Sequence, residues 1–290
     1  MTSASIDDKE RRLEEIISGL ESVIVAYSGG VDSSLVAYYA RKTLGGKARV
    51  VIAVSPSLAE EELDAARLQA AQFEWELVEI RTDEVELPEY QRNDAQRCYF
   101  CKHTLFAALD KMAESLGVAH VAYGANADDL KDFRPGHRAA GEYGVVSPLT
   151  ASALSKEEVR LLSRKAGLPS WDRPQAACLS SRFPTHVPVT VAGLSRVEQA
   201  ERVLHEMGFR QVRVRHHDDL ARIELELSEV SRLSQEPPLM HKISVRLKEI
   251  GYSYVTLDLE GYRQGSSNAL AGRSRTPIQV SVSAEPVDNG

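Results

Sequence analysis

The chain has 290 residues, a formal net charge of −7 and 43% hydrophobic residues, which is material for one large or two modest domains of about 150 residues each. The acidic balance and the lack of a Lys/Arg run argue against an extended nucleic-acid surface, and no apolar stretch approaches the ~18 residues of a membrane span. The polar, charged segment 1–12 does not read as a secretion signal, so a cytoplasmic location is expected, where three cysteines are poor material for disulfides.

In chain order, strands are predicted over residues 23–27, 49–54, 76–80 and 120–124, alternating with helices over 33–44, 59–73 and 102–116. Such alternation implies a parallel sheet covered on both faces, with ligands at the carboxyl ends of its strands. Residues 28–33, Ser55 and 124–129 all fall there. Ser155-x-x-Glu158 is a capping box that opens a helix over 156–166, stopped at Gly167. After Trp171 the pattern changes. A helix over 194–207 precedes two alternating strands, 211–216 and 221–227, of antiparallel type. A helix over 239–250 and a last strand over 254–259 follow. The fold class expected is therefore α/β: a parallel-sheet domain over residues 1–175, a smaller α+β domain over 176–265, and a disordered tail over 266–290 rich in Ser, Gly, Pro and Asn.

The most informative stretch is Ser28-Gly29-Gly30-Val31-Asp32-Ser33, between the first strand and the first helix. Glycines let the backbone approach an anion. The helix N-terminus offers unpaired N–H groups and the positive end of its dipole. Ser28, Ser33 and Ser34 add hydroxyl donors. A kinase-type loop requires Lys followed by Ser or Thr, and a dinucleotide fingerprint a third glycine where Ser33 stands. The stretch instead resembles the PP-loop of ATP pyrophosphatases, which cleave ATP between its α and β phosphates. The cysteines add a second signal. Cys98 and Cys101 form a C-x-x-C, and Cys178 is the remaining cysteine. Three thiolates can hold a metal or cluster and leave one coordination position open.

The stretches Arg97-Cys98-Tyr99-Phe100-Cys101-Lys102 and Pro174-Gln175-Ala176-Ala177-Cys178-Leu179-Ser180-Ser181-Arg182-Phe183-Pro184 resemble the ATP-dependent sulfurtransferases called LarE. So do Arg134-Pro135-Gly136, Ser147-Pro148-Leu149 and Val212-Arg213-Val214-Arg215. The resemblance runs from about residue 20 to 265. It implies an enzyme of nickel-pincer nucleotide biosynthesis, the lactate racemase cofactor. ATP adenylates a carboxylate of pyridinium-3,5-biscarboxylic acid mononucleotide, and sulfur then gives the thiocarboxylate. Some members sacrifice the sulfur of the cysteine matching Cys178. Others have three cysteines and a [4Fe-4S] cluster that carries hydrosulfide, and Cys98, Cys101 and Cys178 place this chain with them.

The resemblance implies roles for particular residues. Ser28, Gly29, Gly30, Val31, Asp32 and Ser33 hold the pyrophosphate, and Ser55, Gly124 and Asn126 line the nucleotide site. Asp129 contacts Mg²⁺, and Glu201, a further acid near the site, is a second candidate for that contact. Arg182 stabilises charge on the reacting phosphate. Arg213 and Arg215, two apart on one strand face, take the phosphate of the mononucleotide, with Arg222 or Arg263 in support. Tyr99 and Phe100 shield the cluster. His216 and His217 are read as packing or surface residues. The expected partners are the small-molecule mononucleotide, a sulfide donor and further copies of the chain, as a dimer or hexamer. A tRNA thiolase with a three-cysteine cluster and a non-enzymatic nucleotide or redox sensor remain as alternatives, with no nucleic acid and no membrane expected.

Overall fold

The computed structural model describes residues 5–131, 135–173 and 177–263. Four parallel strands, β1 (Val23–Tyr27), β2 (Ala48–Val54), β3 (Leu77–Arg81) and β4 (His120–Tyr123), form a sheet in the order β3-β2-β1-β4. Every residue of β1 is buried, as a central strand covered on both faces requires. The strand period of two sorts its side chains. Val23, Val25 and Tyr27 pack with Leu13 and Ile17 of helix Ile6–Ser18, Leu35 of helix Val31–Leu44 and Leu63 of helix Glu60–Gln72. Ile24 and Ala26 instead meet Phe106, Leu109 and Ala113 of helix Arg97–Leu116. The chain runs outward from β1 to β3, then returns to set β4 on the other side of β1. That makes the gap between β1 and β4 the topological switch point, where open α/β sheets bind their ligands.

A second sheet holds β5 (Val212–His217), β6 (Leu220–Leu225) and β7 (Tyr254–Leu257) in that order. β5 and β6 are antiparallel, as expected, but β7 joins β6 in parallel. Two helices, Leu227–Gln235 and Pro237–Glu249, carry the chain back before β7 begins, the crossover that a parallel partner needs. Leu233, Ile243 and Leu247 from them pack with Val212, Val214 and Ile223 of the sheet and with Ala200 and Leu204 of helix Val191–Glu206.

Among the helices absent from the predicted elements are Ile6–Ser18 and Leu227–Gln235. Ile6–Ser18 is mostly charged, yet Ser5 caps it by accepting from the Asp8 N–H at 3.2 Å, and Leu13 and Ile17 are fully buried. Leu227–Gln235 buries only Leu233. The helix Arg97–Leu116 begins at Arg97 rather than at residue 102, so the C-x-x-C lies in its first turns. Phe100 and Cys101 pack against Val85, Tyr90 and Leu179, which gives the helix a reason to start early. Among the described residues no helix is long and apolar enough to cross a membrane. The segment 266–290, Pro174, Gln175, Ala176 and Arg134 lie outside the described residues.

Candidate active site

β1 runs directly into the turn that precedes helix Val31–Leu44. Gly29 has φ 74°, a left-handed value that glycine adopts without steric penalty. Gly30 is the helix N-cap, and no side chain caps the first turn, so the amides of Val31, Asp32 and Ser33 are of the kind an anion fills. Ser33 Oγ accepts from the Ser28 N–H at 3.1 Å, lies 3.1 Å from Ser28 Oγ, and donates to the Gly30 carbonyl. These bonds fix the loop's curl. Ser34 faces the other way: its buried hydroxyl donates to the Gly30 carbonyl at 2.8 Å and accepts from Gln69 Nε2 at 2.7 Å, so it is not among the loop's donors to a ligand. Gly124 closes the switch point. A Cβ there would stand 2.5 Å from the Ser33 nitrogen, so the end of β4 approaches the loop only as glycine.

The acids beside the loop are tied to it. Asn126 Nδ2 donates to Asp32 Oδ1 at 3.0 Å, while the Asn126 N–H donates to Asp129 Oδ2 at 3.0 Å. Lys156 Nζ pairs with Asp32 Oδ2, and the Lys156 N–H donates to Asp128 Oδ2 at 2.8 Å. Lys156 was not singled out from the sequence. Its signal was available in the capping box, which the structure shows complete at Ser155 and Glu158 and which fixes Lys156 at the first turn of a helix that begins beside the loop.

Two cysteine segments far apart in sequence are stapled together. Arg97 Nη1 donates to the Ser180 carbonyl at 2.8 Å, and Tyr90 Oη lies 2.6 Å from Ser180 Oγ. Asn93 Nδ2 donates to the Pro184 and Val187 carbonyls at 2.8 and 2.9 Å. Cys101 and Cys178 thereby line one cavity with Ser28, Ser33, Ser55 and Gly124. Cys98, one helical turn from Cys101, is exposed, as is Cys178. Burial pushes the Cys101 thiol up to about 12. Cysteine sulfur is the donor type an iron–sulfur cluster takes, and two of the three cysteines line the cavity, although among the described residues no three His, Cys, Asp or Glu side chains are grouped to hold a metal ion. Phe100 packs beside Cys101, whereas Tyr99 turns to the surface under Arg138 and donates to Glu142 Oε2 at 2.7 Å.

The arginines divide into paired and unpaired. Arg182, buried, is gripped by both oxygens of Glu201 at 2.9 and 3.0 Å, and its Nη1 donates to the Ala177 and Cys178 carbonyls. Burial alone would lower its pKa, but Glu201 holds it above the usual value. Glu201 also accepts from the Val214 N–H at 2.9 Å. Its carboxylate is thus the counterion of Arg182 here, a different occupation from the metal contact the sequence led us to expect. Arg215 is paired with both oxygens of buried Glu224 at 2.9 and 2.8 Å and donates to the Ser181 carbonyl at 2.7 Å. Arg222 also reaches Glu224, at 3.1 Å. Arg213 shares its strand face with Arg215, but among the described residues it has no ion pair. It stacks over the Tyr262 ring and is held below its ordinary pKa by burial and by Arg182. Arg263 pairs with Glu260 at 2.6 Å, exposed on the surface.

The sequence compares as the geometry does. Residues 7–113 match the NAD synthase family. The chain is 44% identical over 265 residues, 91% of its length, to an uncharacterized protein of Synechocystis sp., of which 98% is covered. It is 33% identical over 266 residues, 91% of its length, to the pyridinium-3,5-bisthiocarboxylic acid mononucleotide synthase of Lactiplantibacillus plantarum, of which 95% is covered. An uncharacterized protein of Methanocaldococcus jannaschii is 28% identical over 243 residues, which are 84% of this chain and 91% of that one.

Proposed function

The chain belongs to the NAD synthase-like PP-loop ATP pyrophosphatases, with the pyridinium-3,5-bisthiocarboxylic acid mononucleotide synthase among its relatives, and we propose that it inserts sulfur into a carboxylate of a pyridinium mononucleotide at the cost of ATP. The observation that carries this reading is the single cavity lined by Ser28 and Ser33 of the PP-loop and by Cys101 and Cys178. A nucleotide-activating loop and two thiols at one cavity support a reading in which the acyl-adenylate and the sulfur source share one site.

In this reading the first-turn amides and the hydroxyls of Ser28 and Ser33 bind the ATP phosphates. A substrate carboxylate oxygen attacks the α phosphorus, the bond to the bridging oxygen breaks, and pyrophosphate leaves with that electron pair. Asp32, held by Asn126 and Lys156, and Asp129 beside it supply carboxylates for the Mg²⁺ that accompanies ATP. The unpaired Arg213 takes the phosphate of the mononucleotide, with Arg182 and Arg215 fixed beside it by Glu201 and Glu224. Cys98, Cys101 and Cys178 are the residues that would hold a [4Fe-4S] cluster, which would supply replaceable sulfide and spare the side-chain sulfur of the polypeptide. The sulfur adds to the acyl carbon, AMP departs with the bonding pair, and a thiocarboxylate remains.

The test uses protein prepared without oxygen. The expected result is iron and sulfide in cluster stoichiometry, lost when Cys98, Cys101 or Cys178 is changed to Ala, and repeated turnover with added sulfide. Iron-free protein that reacts once, loses the mass of H₂S and depends on Cys178 alone would overturn the cluster and leave a sacrificial thiol. No ATP-dependent pyrophosphate release with the pyridinium mononucleotide would overturn the reading as a whole.

A further inference from the structure

Glu84 lies just beyond β3, in the short turn Glu84–Glu86, and is the acid on the cavity wall. It is 3% exposed. Its Oε1 accepts from the hydroxyls of Ser55 at 2.6 Å and Ser57 at 3.1 Å. Its Oε2 is equally enclosed and has no donor among the described residues. Buried carboxylate oxygens are normally satisfied, because an unmet one keeps the cost of its lost hydration. The missing donor here is not explained by the fold itself.

The position of Glu84 says what would meet it. Following the sheet order, the carboxyl edge carries Gly124 after β4, Ser28 after β1, Ser55 after β2 and Glu84 after β3. Strand neighbours are about 4.8 Å apart, so Glu84 stands roughly 10 Å along the edge from the phosphate loop. The edge is therefore polar in a definite sense. Amide and hydroxyl donors stand at β1, and an acceptor that lacks a donor stands at β3. A nucleotide has the opposite polarity: phosphate oxygens at one end, and at the other the donors of its nucleoside, which are the ribose hydroxyls and the exocyclic amine. Leu58 and Leu105 line the same cavity and give that nucleoside an apolar wall.

We propose that Glu84 is the nucleoside contact of this site, its Oε2 accepting a hydrogen bond from the ribose hydroxyls or the exocyclic amine of ATP. The assignment rests on the reading of the cavity as the ATP site. It also joins nucleotide to cysteine. Ser57, which donates to Glu84, accepts from the Leu179 N–H at 2.9 Å through its carbonyl, next to Cys178.

The experiment is calorimetric titration of the full chain and of Glu84→Gln with ATP, 2′,3′-dideoxy-ATP, inosine triphosphate and inorganic pyrophosphate. Glutamine keeps an oxygen for the two serines and places an N–H₂ group where Oε2 stands. The expected result is a Kd for ATP raised at least tenfold in Glu84→Gln, with pyrophosphate binding and melting temperature unchanged. If the ribose is the donor, the variant no longer differs from wild type with the dideoxy nucleotide. If the amine is the donor, it no longer differs with inosine triphosphate. An ATP Kd within twofold of wild type overturns the assignment, as does a loss that persists in both analogues or extends to pyrophosphate. Failure of the underlying reading looks different: wild type would bind no ATP, or would bind it no better than Asp32→Ala does.

Discussion

The phosphate loop and the arginine-bearing strand β5 are both suited to anions, but they are built in opposite ways. The loop is six consecutive residues whose geometry comes from a strand, two glycines and a helix start. Its donors are mainly backbone amides, and they need no distant residue to stay in place. On and around β5 two guanidiniums of the strand, Arg213 and Arg215, meet a third, Arg182, from the cysteine turn, and two of the three are neutralised from other elements, by Glu201 and Glu224. One, Arg213, is left over. A loop made from local sequence tolerates the loss of a side chain as a fold and loses only its chemistry. A site made from buried ion pairs loses the fold first, except at Arg213, which has no ion pair among the described residues.

The sharpest way to break this contrast is to compare Arg182→Ala with Asp32→Ala. Removing Arg182 leaves Glu201 buried and unpaired, a defect that costs about 3–5 kcal/mol. The midpoint of urea unfolding should fall accordingly. Asp32 is half-buried and pairs with a partly exposed Lys156, so its removal should cost about 1 kcal/mol or less. Pyrophosphate release in Asp32→Ala should nevertheless drop by about two to three orders of magnitude, the scale for one lost transition-state contact. Equal destabilisation in the two variants would erase the distinction between the regions.

Arg213 sharpens the contrast from within the second region. Arg213→Gln removes a partly buried cation that burial and Arg182 already hold below its ordinary pKa, so stability should stay within about 0.5 kcal/mol. Binding of the mononucleotide should weaken by about 1.5–3 kcal/mol, the range for a hydrogen bond to a charged group, with ATP binding unchanged. The readouts are the urea midpoint and the two Kd values. A stability loss on the scale of Arg182→Ala would mean that Arg213 is a structural cation like its neighbours.

The same division decides what could be read in advance. β1, the loop and the helix after it were legible because apolar periodicity and glycine placement act over a few residues. Gly124 was legible as a residue of the site, though its reason, close approach to Ser33, exists only in three dimensions. Cys101 and Cys178 were legible as candidates for one site, and the structure brings both to one cavity. Their stapling by Arg97, Asn93 and Tyr90 was not, because those bonds join segments without a common motif. Arg213 and Arg215 are indistinguishable on the strand pattern, and the difference between them is Glu224, which arrives from β6. Glu84 was missed for the same reason, its serine partners lying on another loop at the sheet edge, whereas Lys156 was overlooked although the capping box had fixed its place.

His216 offers the smallest effect and a check on how tightly the second region is packed against the cysteine turn. Its ring is buried 4.8 Å from the Phe183 ring centroid, and its Nδ1 lies 3.1 Å from Tyr252 Oη. Burial, then Arg196, holds its pKa below the ordinary value of 6.5. Above pH 6.5 the ring is neutral in both the folded and the unfolded chain, and its contribution to stability is complete. As the pH falls below 6.5, the unfolded chain takes up a proton there that the folded chain refuses, so stability declines until the folded value is passed. His217 is lowered in the same direction, by burial and then by Arg222, and adds to the decline. Unfolding free energy should therefore fall between pH 7 and pH 5, with a share from each histidine. His216→Gln should flatten that slope by its share while leaving the slope from His217 in place. Parallel pH curves for wild type and His216→Gln would mean that the imidazole is charged in the fold, and that the packing between Phe183 and Tyr252 is open enough to hydrate it.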